Sequence, residues 1–494
     1  MENISDVANV ISKYLKDSGY NVAYIDYGEK IQEFLSWYKG KTGFHNYKIY
    51  NGENFIECER ASLNMAKTVC EDMASLELNE KCSITLNEEL AQEYIDSVLE
   101  DNNFQVMGNQ LMEIKNALGG GAFVENIENI NGFLRPTIDY IHGDMIFPLT
   151  WDNGRITECA FVKVGGSNKE VEYTILMHLY DKKKNEYIIK LVELDSKGDV
   201  VKPFEIGSDL KEAVASGTTD EIIFETHSQF PLFQYIKPNI INNYDKTNPL
   251  GISIFGNAID ILKSIDVIYD SWRNEFVLGK KRIFVKSDLK KVVVNTGNEI
   301  TNQIDSNDVI FYQLDWTGKD NDKPPIYESQ MTIRAMEHVE SLDKQLNLLS
   351  RKCGLGDNFY AFNNGAVART ATEVISTNSS LFRNLHKNEL IIKSAIIGMV
   401  RALLVIGNNI QAGVFDVNQD ITVNFDDSII EDTEKEKQQA MNEYNAGLID
   451  RVQYFVETRG MTREQAIKFI AEMDATNTMK EVSSILNNFG GGII

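Results

Sequence analysis

Through the first 118 residues, ISDVANVISKYLK, GEKIQEFLSWYKG, RASLNMAKTVCEDMASLEL, NEELAQEYIDSVLED and FQVMGNQLMEIKNAL each place apolar side chains at three- and four-residue steps. That period gathers them on one face of a helix, so this part predicts a packed helical layer. After GGGAF the period drops to two: ITECAFVKVG, KEVEYTILMHLYD and NEYIIKLVELD alternate and are separated by the turn-like GGSN, KKKN and SKGD, which predicts an antiparallel meander. From Asn257 to Leu278 the helical period returns in Ile261, Ile265, Ile268, Trp272 and Phe276. The short strand candidates IFVKSDL, KKVVVN and DVIFYQLDW follow, closed by TGKDNDKPP, where Pro324 and Pro325 stop regular pairing. Met336, Val339, Leu342, Leu346 and Leu349 then predict a second helix, so a small β unit sits at the tip of a two-helix stalk. CGLGDNFYAFNNGAVA has no helical period and reads as a loop with aromatic tips. Beyond it, Thr370 and Glu373 stand in capping-box spacing before a stripe of Val374, Asn378, Leu381, Leu385, Ile392, Ile396, Met399, Leu403 and Ile406. A helix from there to Gly407 is a rod of roughly 57 Å, unusually long for one globular domain. The end of the chain is helical again, with capping boxes at Thr433/Glu436 and Thr462/Gln465 and Gly460 placed to end the helix before the second.

The whole is an α+β chain of 494 residues, long enough for several folding units, and its 43% apolar residues supply a large core. Lys and Arg number 49 against 73 Asp and Glu, a net charge of −24, which argues against wrapping nucleic acid through general basicity. A channel through which DNA slides is a different case, because repulsive or neutral walls suit it better than a basic stripe. Five cysteines, Cys58, Cys70, Cys82, Cys159 and Cys353, form no CxxC pair and signal neither a disulfide framework nor a zinc site. The N-terminus MENISDVANVISKYLKD lacks the apolar stretch of a signal peptide, and LIIKSAIIGMVRALLVIG is interrupted by Lys393 and Arg401, which argues against a membrane span.

Catalytic signatures are missing from the sequence. GISIFGNA has phosphate-loop glycine spacing, yet Asn257 and Ala258 stand where Lys and Ser or Thr are needed. Gly119–Gly121 is not GxGxxG and reads as a flexible joint. The six histidines are scattered without HExxH, and GxSxG is absent, so the sequence points to no catalytic residue, no metal ligand and no cofactor. The carboxylates of NFDDSIIEDTEKE suit either a divalent cation or a solvated acidic turn at a helix start. Lys280, Lys281, Arg282, Lys286, Lys290 and Lys291 are the main basic departure from the acidic background; they fit phosphate or partner contacts, or a solvated strand rim.

The order of elements resembles the portal proteins of tailed bacteriophages over nearly the whole chain. The resemblance is carried by NPLGISIFGNAIDILKSIDVIYDSWRNEFVLGKKRIFV at 248–285, by TATEVISTNSSLFRNL at 370–385 after CGLG, and by AGLIDRVQYFVETRGMTREQA at 446–466. It implies a non-enzymatic, usually dodecameric ring at one capsid vertex, assembled in the host cytoplasm, through which double-stranded DNA enters and leaves. It implies a wing at 1–256, stem helices at 257–281 and 328–352, a clip at 282–327, a tunnel loop at 353–369, a long wing helix with following strands at 370–429 and a crown with the C-terminal tail at 430–494. The loop residues beside DNA would be Leu355, Gly356, Asp357, Asn358, Phe359, Tyr360, Ala361, Phe362, Asn363, Asn364 and Gly365. Of the aromatics, Phe359, Tyr360 and Phe362 would anchor each loop on its neighbour rather than press on the duplex, since stacking needs unpaired bases. The implied partners are further copies of the chain, the terminase large subunit, a head-completion or adaptor protein, and the major capsid and scaffolding proteins, with no membrane. Two rivals are a carboxylate and divalent-ion hydrolase and a tail or baseplate component without a tunnel.

Overall fold

The computed structural model describes residues 4–24, 27–79, 82–130, 133–167, 170–201, 215–216, 222–279, 281–286, 292–294, 300–302, 311–314, 326–329, 331–360, 371–410, 413–425, 440–459, 463, 466–471 and 473. The chain divides into two units: residues 1–367 with 378–425, and residues 368–377 with 426–494.

The first unit opens with helices α1 (Ile4–Asp17) and α2 (Gly28–Tyr38), a hairpin of β1 (Asn46–Tyr50) and β2 (Phe55–Glu59), and α3 (Met65–Glu77). Strand β3 (Ser83–Leu86) and helices α4 (Glu89–Asp101) and α5 (Phe104–Leu118) follow. The helical period therefore holds through this layer, but the hairpin and β3 are additions to it. Next come β4 (Gly121–Ile130), β5 (Phe133–His142), β6 (Ile146–Asp152), β7 (Arg155–Ser167), β8 (Glu170–Asp181) and β9 (Glu186–Leu194). The short β10 (Val200–Val201), β11 (Ala215–Ser216), β12 (Ile222–Glu225) and β13 (Phe233–Ile236) complete the strand-rich region. Strands β6 to β9 form the antiparallel meander that the two-residue alternation predicts, and β12 adds to its far edge. A second sheet has the order β13-β4-β5.

Gly119–Gly121 is a tight joint rather than a flexible one. Gly119 caps α5 at φ 82°, and a Cβ there would lie 2.6–2.7 Å from backbone atoms of Gly251 and Ile252. Only a residue with no side chain lets these two backbones meet. Gly251 of GISIFGNA serves this packing, Gly256 lies instead against the Phe34 ring, and Ile252, Ile254 and Phe255 are buried in the core.

The stalk consists of α6 (Ile259–Leu278) and α7 (Ala335–Cys353), which pack against each other. Between them lie β14 (Arg282–Lys286), β15 (Val292–Val294), β16 (Ile300–Asn302), β17 (Phe311–Leu314) and β18 (Ile326–Ser329). Strand β14 pairs in parallel with β17 and antiparallel with β18. This pairing corrects the expected start of the second stem helix at 328: Ile326–Ser329 gives its backbone to β14, so the helix begins only at Ala335. The first stem helix is likewise shorter than 257–281, beginning after a 3-10 turn at Gly256–Ala258.

Helix α8 (Ala371–Asn409) has 39 residues, a rod of roughly 58 Å. Every described member of its predicted apolar stripe, Leu381, Leu385, Ile392, Ile396, Met399, Leu403 and Ile406, is at most 6% exposed. Ser379–Asn409 is long and apolar enough to cross a membrane by length and composition, and 61% of its most apolar window is buried inside the protein. Strand β19 (Ile421–Asn424) returns to pair with β3. In the second unit, helix α9 (Arg451–Arg459) carries Tyr454 and Phe455, whose rings lie 5.2 Å from Tyr444 and 5.3 Å from Phe469. The capping boxes at Thr433/Glu436 and Thr462/Gln465, Gly460 and the acidic stretch 426–436 lie outside the described residues.

Candidate functional site

The stalk is fixed at its base by two aspartates one turn apart on α6. Asp266 Oδ1 accepts the Leu63 backbone N–H at 2.8 Å; its Oδ2 accepts the Ser62 hydroxyl at 3.0 Å and lies 2.9 Å from His45 Nε2. Asp270 accepts the Ala61 N–H at 3.0 Å and the Asn274 amide at 3.0 Å. His45 and Asp266 are both buried, so these are charge-assisted bonds shielded from water, each worth about 1.5–3 kcal/mol. They bind α6 to the segment just after the β1–β2 hairpin. Arg60 extends the clamp, donating to the Phe44 carbonyl at 2.7 Å and covering the Phe44 and Tyr47 rings at 4.2 and 4.8 Å.

Toward the β unit the stalk is held differently. Glu275 on α6 accepts the Arg334 backbone N–H and Nε, each at 2.8 Å, and lies 3.2 Å from His338 Nε2 on α7. The Arg334 backbone donor, then His338 and the Arg334 side chain, hold the Glu275 carboxyl down at about 2. Apolar burial fades along this half. Ile265, Leu342, Leu346 and Leu349 are buried, whereas Phe276, Val277 and Met336 are 52%, 49% and 83% exposed. The predicted stripe on α6 thus packs against the core only up to Trp272, with Ile265 its fully buried member.

The loop after α7 starts from three left-handed residues, Gly354 at φ 84°, Gly356 at φ 84° and Asn358 at φ 61°. Leu355, between the glycines, is 2% exposed and belongs to the main core, its N–H donating to the Ser350 carbonyl at 2.9 Å. Asp357 pairs with Arg351 at 3.0 Å, and Asn358 accepts from Asn347. Phe359 is exposed and its ring stands edge-on to Tyr360, whose hydroxyl donates to Asp72 Oδ2 at 2.6 Å. Tyr360 therefore anchors on its own chain. Burial and the Asp72 carboxylate push its phenol well above the usual tyrosine value. Ala361, Phe362, Asn363, Asn364, Gly365 and Thr370 lie outside the described residues, as do Lys280, Lys290 and Lys291; Glu373 lies in the first turn of α8 and Lys286 ends β14. Lys281 forms an ion pair with Glu328 on β18, and Arg282 opens β14, so at least one cation of the cluster has an acidic neighbour.

Sequence spacing missed the polar group that ties the long helix to the helical layer. Glu77 on α3 is 1% exposed. Its Oε2 accepts Lys115 Nζ at 2.7 Å and the Asn116 amide at 2.9 Å, both from α5, while Oε1 accepts the Asn388 amide of α8 at 2.8 Å. Asn388 in turn accepts the Asn239 N–H at 3.0 Å, and the Asn116 carbonyl accepts the Ser253 hydroxyl and the Ile254 N–H, each at 3.0 Å. A signal was present: Asn388 falls inside the apolar stripe, between Leu385 and Ile392. A polar residue there needs a buried partner.

No curated protein matches the chain. Among solved structures it is similar to a chain in the neck of a native GTA particle computed with C12 symmetry, at 9% identity over 79% of this chain and 88% of that one, with a TM-score of 0.42. The family model described as phage portal protein, SPP1 Gp6-like, matches residues 25–479. That match takes in the helical layer, the meander, the stalk with its β unit, the loop and the long helix together, and the chain belongs to the SPP1 Gp6-like family of phage portal proteins.

Proposed function

We propose that copies of this chain close into a ring, a dodecamer in the virion, at one capsid vertex and around a DNA channel.

 Each ring would be the non-enzymatic structural portal of the virion, a passage for double-stranded DNA during packaging and ejection. The observation that carries this reading is the stalk. Two packed helices keep Phe276, Val277 and Met336 exposed along the half nearest the β unit, an apolar surface that a single chain leaves in water and that neighbouring copies would cover. Membership of the portal family supports the same arrangement.

In that ring, residues 257–281 and 328–352 correspond to the stem, with its helices at Ile259–Leu278 and Ala335–Cys353, and the β unit between them is the clip that meets the terminase large subunit and later a head-completion or adaptor protein. The long helix braces the wing, and the loop from Leu355 to Gly365 reaches toward the DNA. Leu355 and Tyr360 are its anchors, because one is buried in the core and the other is bonded to Asp72. Among the described residues of the loop, exposed Phe359 is the one left to face the lumen or a neighbouring loop. The crown follows at 430–494, and the major capsid and scaffolding proteins surround the ring.

Particle imaging and mass together test the reading. Twelve chains of 56.0 kDa give a ring of roughly 670 kDa with a central hole. Replacing Phe362, Asn363 and Asn364 by Gly and Ser, with both anchors kept, should leave rings intact and impair packaging. Monomers or dimers under every condition, including co-production with capsid and scaffolding proteins, would refute the ring. Normal packaging with the altered loop would remove the loop's role.

A further inference from the structure

The β1–β2 hairpin stands out among the described elements because its two strands pair with each other and with no other described strand. It nevertheless carries Ile49, Tyr50, Phe55 and Ile56 at 48%, 58%, 70% and 48% exposure. A lone two-stranded hairpin is marginal in water, and large exposed apolar groups on it mark a surface that something covers. Alternation puts Phe55, Glu57 and Glu59 on one face of β2, with Tyr50 opposite Phe55 in the register. That face is an aromatic pair followed by two carboxylates. Among the described residues Glu57 is engaged only by Lys48, at 2.9 Å in a pair whose lysine and glutamate are 64% and 82% exposed, which holds it weakly.

A complementary surface exists elsewhere on the same chain. Opposite its buried stripe, α8 presents Arg383, Lys387, Leu390 and Lys393, all exposed, with Leu390 at 68%. Steps of four, three and three residues keep these four on one side of the helix. Among the described residues none of the three cations has a carboxylate partner. In a chain of net charge −24, a basic stripe with an apolar centre is a local reversal. The lengths agree as well: ten helical steps span about 15 Å, and a five-residue strand about 17 Å.

We propose that the Phe55–Glu57–Glu59 face of one copy docks on the Arg383–Lys387–Leu390–Lys393 stripe of the next. The proposal rests on the ring reading and names one of its contacts. Two different patches meeting head to tail is the kind of interface that closes a ring. A DNA backbone would also suit the three cations, but it offers nothing to Leu390 and leaves the hairpin's aromatics uncovered.

The test places the photo-crosslinking residue p-benzoylphenylalanine at Phe55 in the full-length assembled protein, with a 30-base-pair duplex (about three helical turns) present in a parallel sample. The expected result is a ladder of covalent multimers whose linked peptides map to residues 383–393. In a second arm, Arg383→Glu with Lys387→Glu should raise the concentration needed for half-assembly about tenfold, and adding Glu57→Lys with Glu59→Lys should restore it to within about threefold. Rings whose crosslinks map elsewhere, crosslinks to the duplex, or a charge exchange that restores nothing would overturn the docking while leaving the ring standing. Failure of the unaltered protein to form rings would instead overturn the ring reading and the docking with it.

Discussion

Replacing Lys115 by Met tests the group that joins the long helix to the helical layer. Lys115 and Glu77 are each 1% exposed, and their 2.7 Å contact has no water to replace it. Met fills most of the lysine stem's volume, so the change removes the charge more than the packing. Glu77 keeps two amide donors, from Asn116 at 2.9 Å and Asn388 at 2.8 Å, but loses its counterion. Breaking a buried pair from one side costs about 3–5 kcal/mol, because the remaining charge stays desolvated. Glu77→Gln strands the ammonium in the same way. The double variant carries neither charge, so its loss should fall short of the sum of the single losses by about 2–3 kcal/mol. Urea unfolding followed by tryptophan fluorescence and far-UV circular dichroism measures all three, and hydrogen exchange should show α8 opening more readily around Asn388 in each single variant. Single losses below about 1 kcal/mol, adding without coupling, would refute the reasoning, since a dry, mutually dependent pair cannot behave that way.

Gly119→Ala should destabilise the protein by about 3 kcal/mol or more, adding a backbone clash to a left-handed φ, while Gly52→Ala, at φ 102° in open space, should cost about 1 kcal/mol; thermal melts of the two separate clash from backbone preference. The Glu275 carboxyl is held below its ordinary 4.5 at about 2, so the stability of its clamp is complete above pH 4.5 and is lost as the pH falls from there toward 2. Protection of the Arg334 amide, relative to its intrinsic exchange rate, should therefore fall across that window, and Glu275→Gln should abolish that fall. Glu125 is fully buried with neither carboxylate oxygen hydrogen-bonded among the described residues, and burial pushes its carboxyl well above 4.5. Its contribution is present below pH 4.5 and is lost as the pH rises, so Glu125→Met should raise the melting temperature, and by more at pH 8 than at pH 4. Tyr360→Phe should cost about 1 kcal/mol by leaving Asp72 without its donor, a loss visible in urea unfolding, with no change in secondary structure.

What could be read from the residues and what could not divide along physical lines. The long helix was legible because Leu381 to Ile406 repeat at helical spacing and that repeat is the burial pattern. The meander was legible for the same reason at a period of two. The stem helices were legible in their inner halves, where periodicity and burial agree, and less so beyond Trp272, where apolar residues keep the period but stay exposed. In the loop, the glycines marked irregular backbone, yet nothing in CGLGDNFYAF distinguishes Leu355 and Tyr360, which are anchored, from Phe359, which is not.

The sequence by itself determined the order and type of the main elements, the stalk with its β unit, and the resemblance to portal proteins that the family match then bore out. These follow from local periodicity, which is set by neighbours three, four or two residues away. Tertiary structure alone decided that Ile326–Ser329 becomes a strand on β14, that Gly119 must admit the backbone of Gly251 and Ile252, and that Glu77 meets Lys115 and Asn388. Each of those pairings joins residues far apart in the chain, and a contact between distant segments is fixed by how whole elements pack, which no local spacing records.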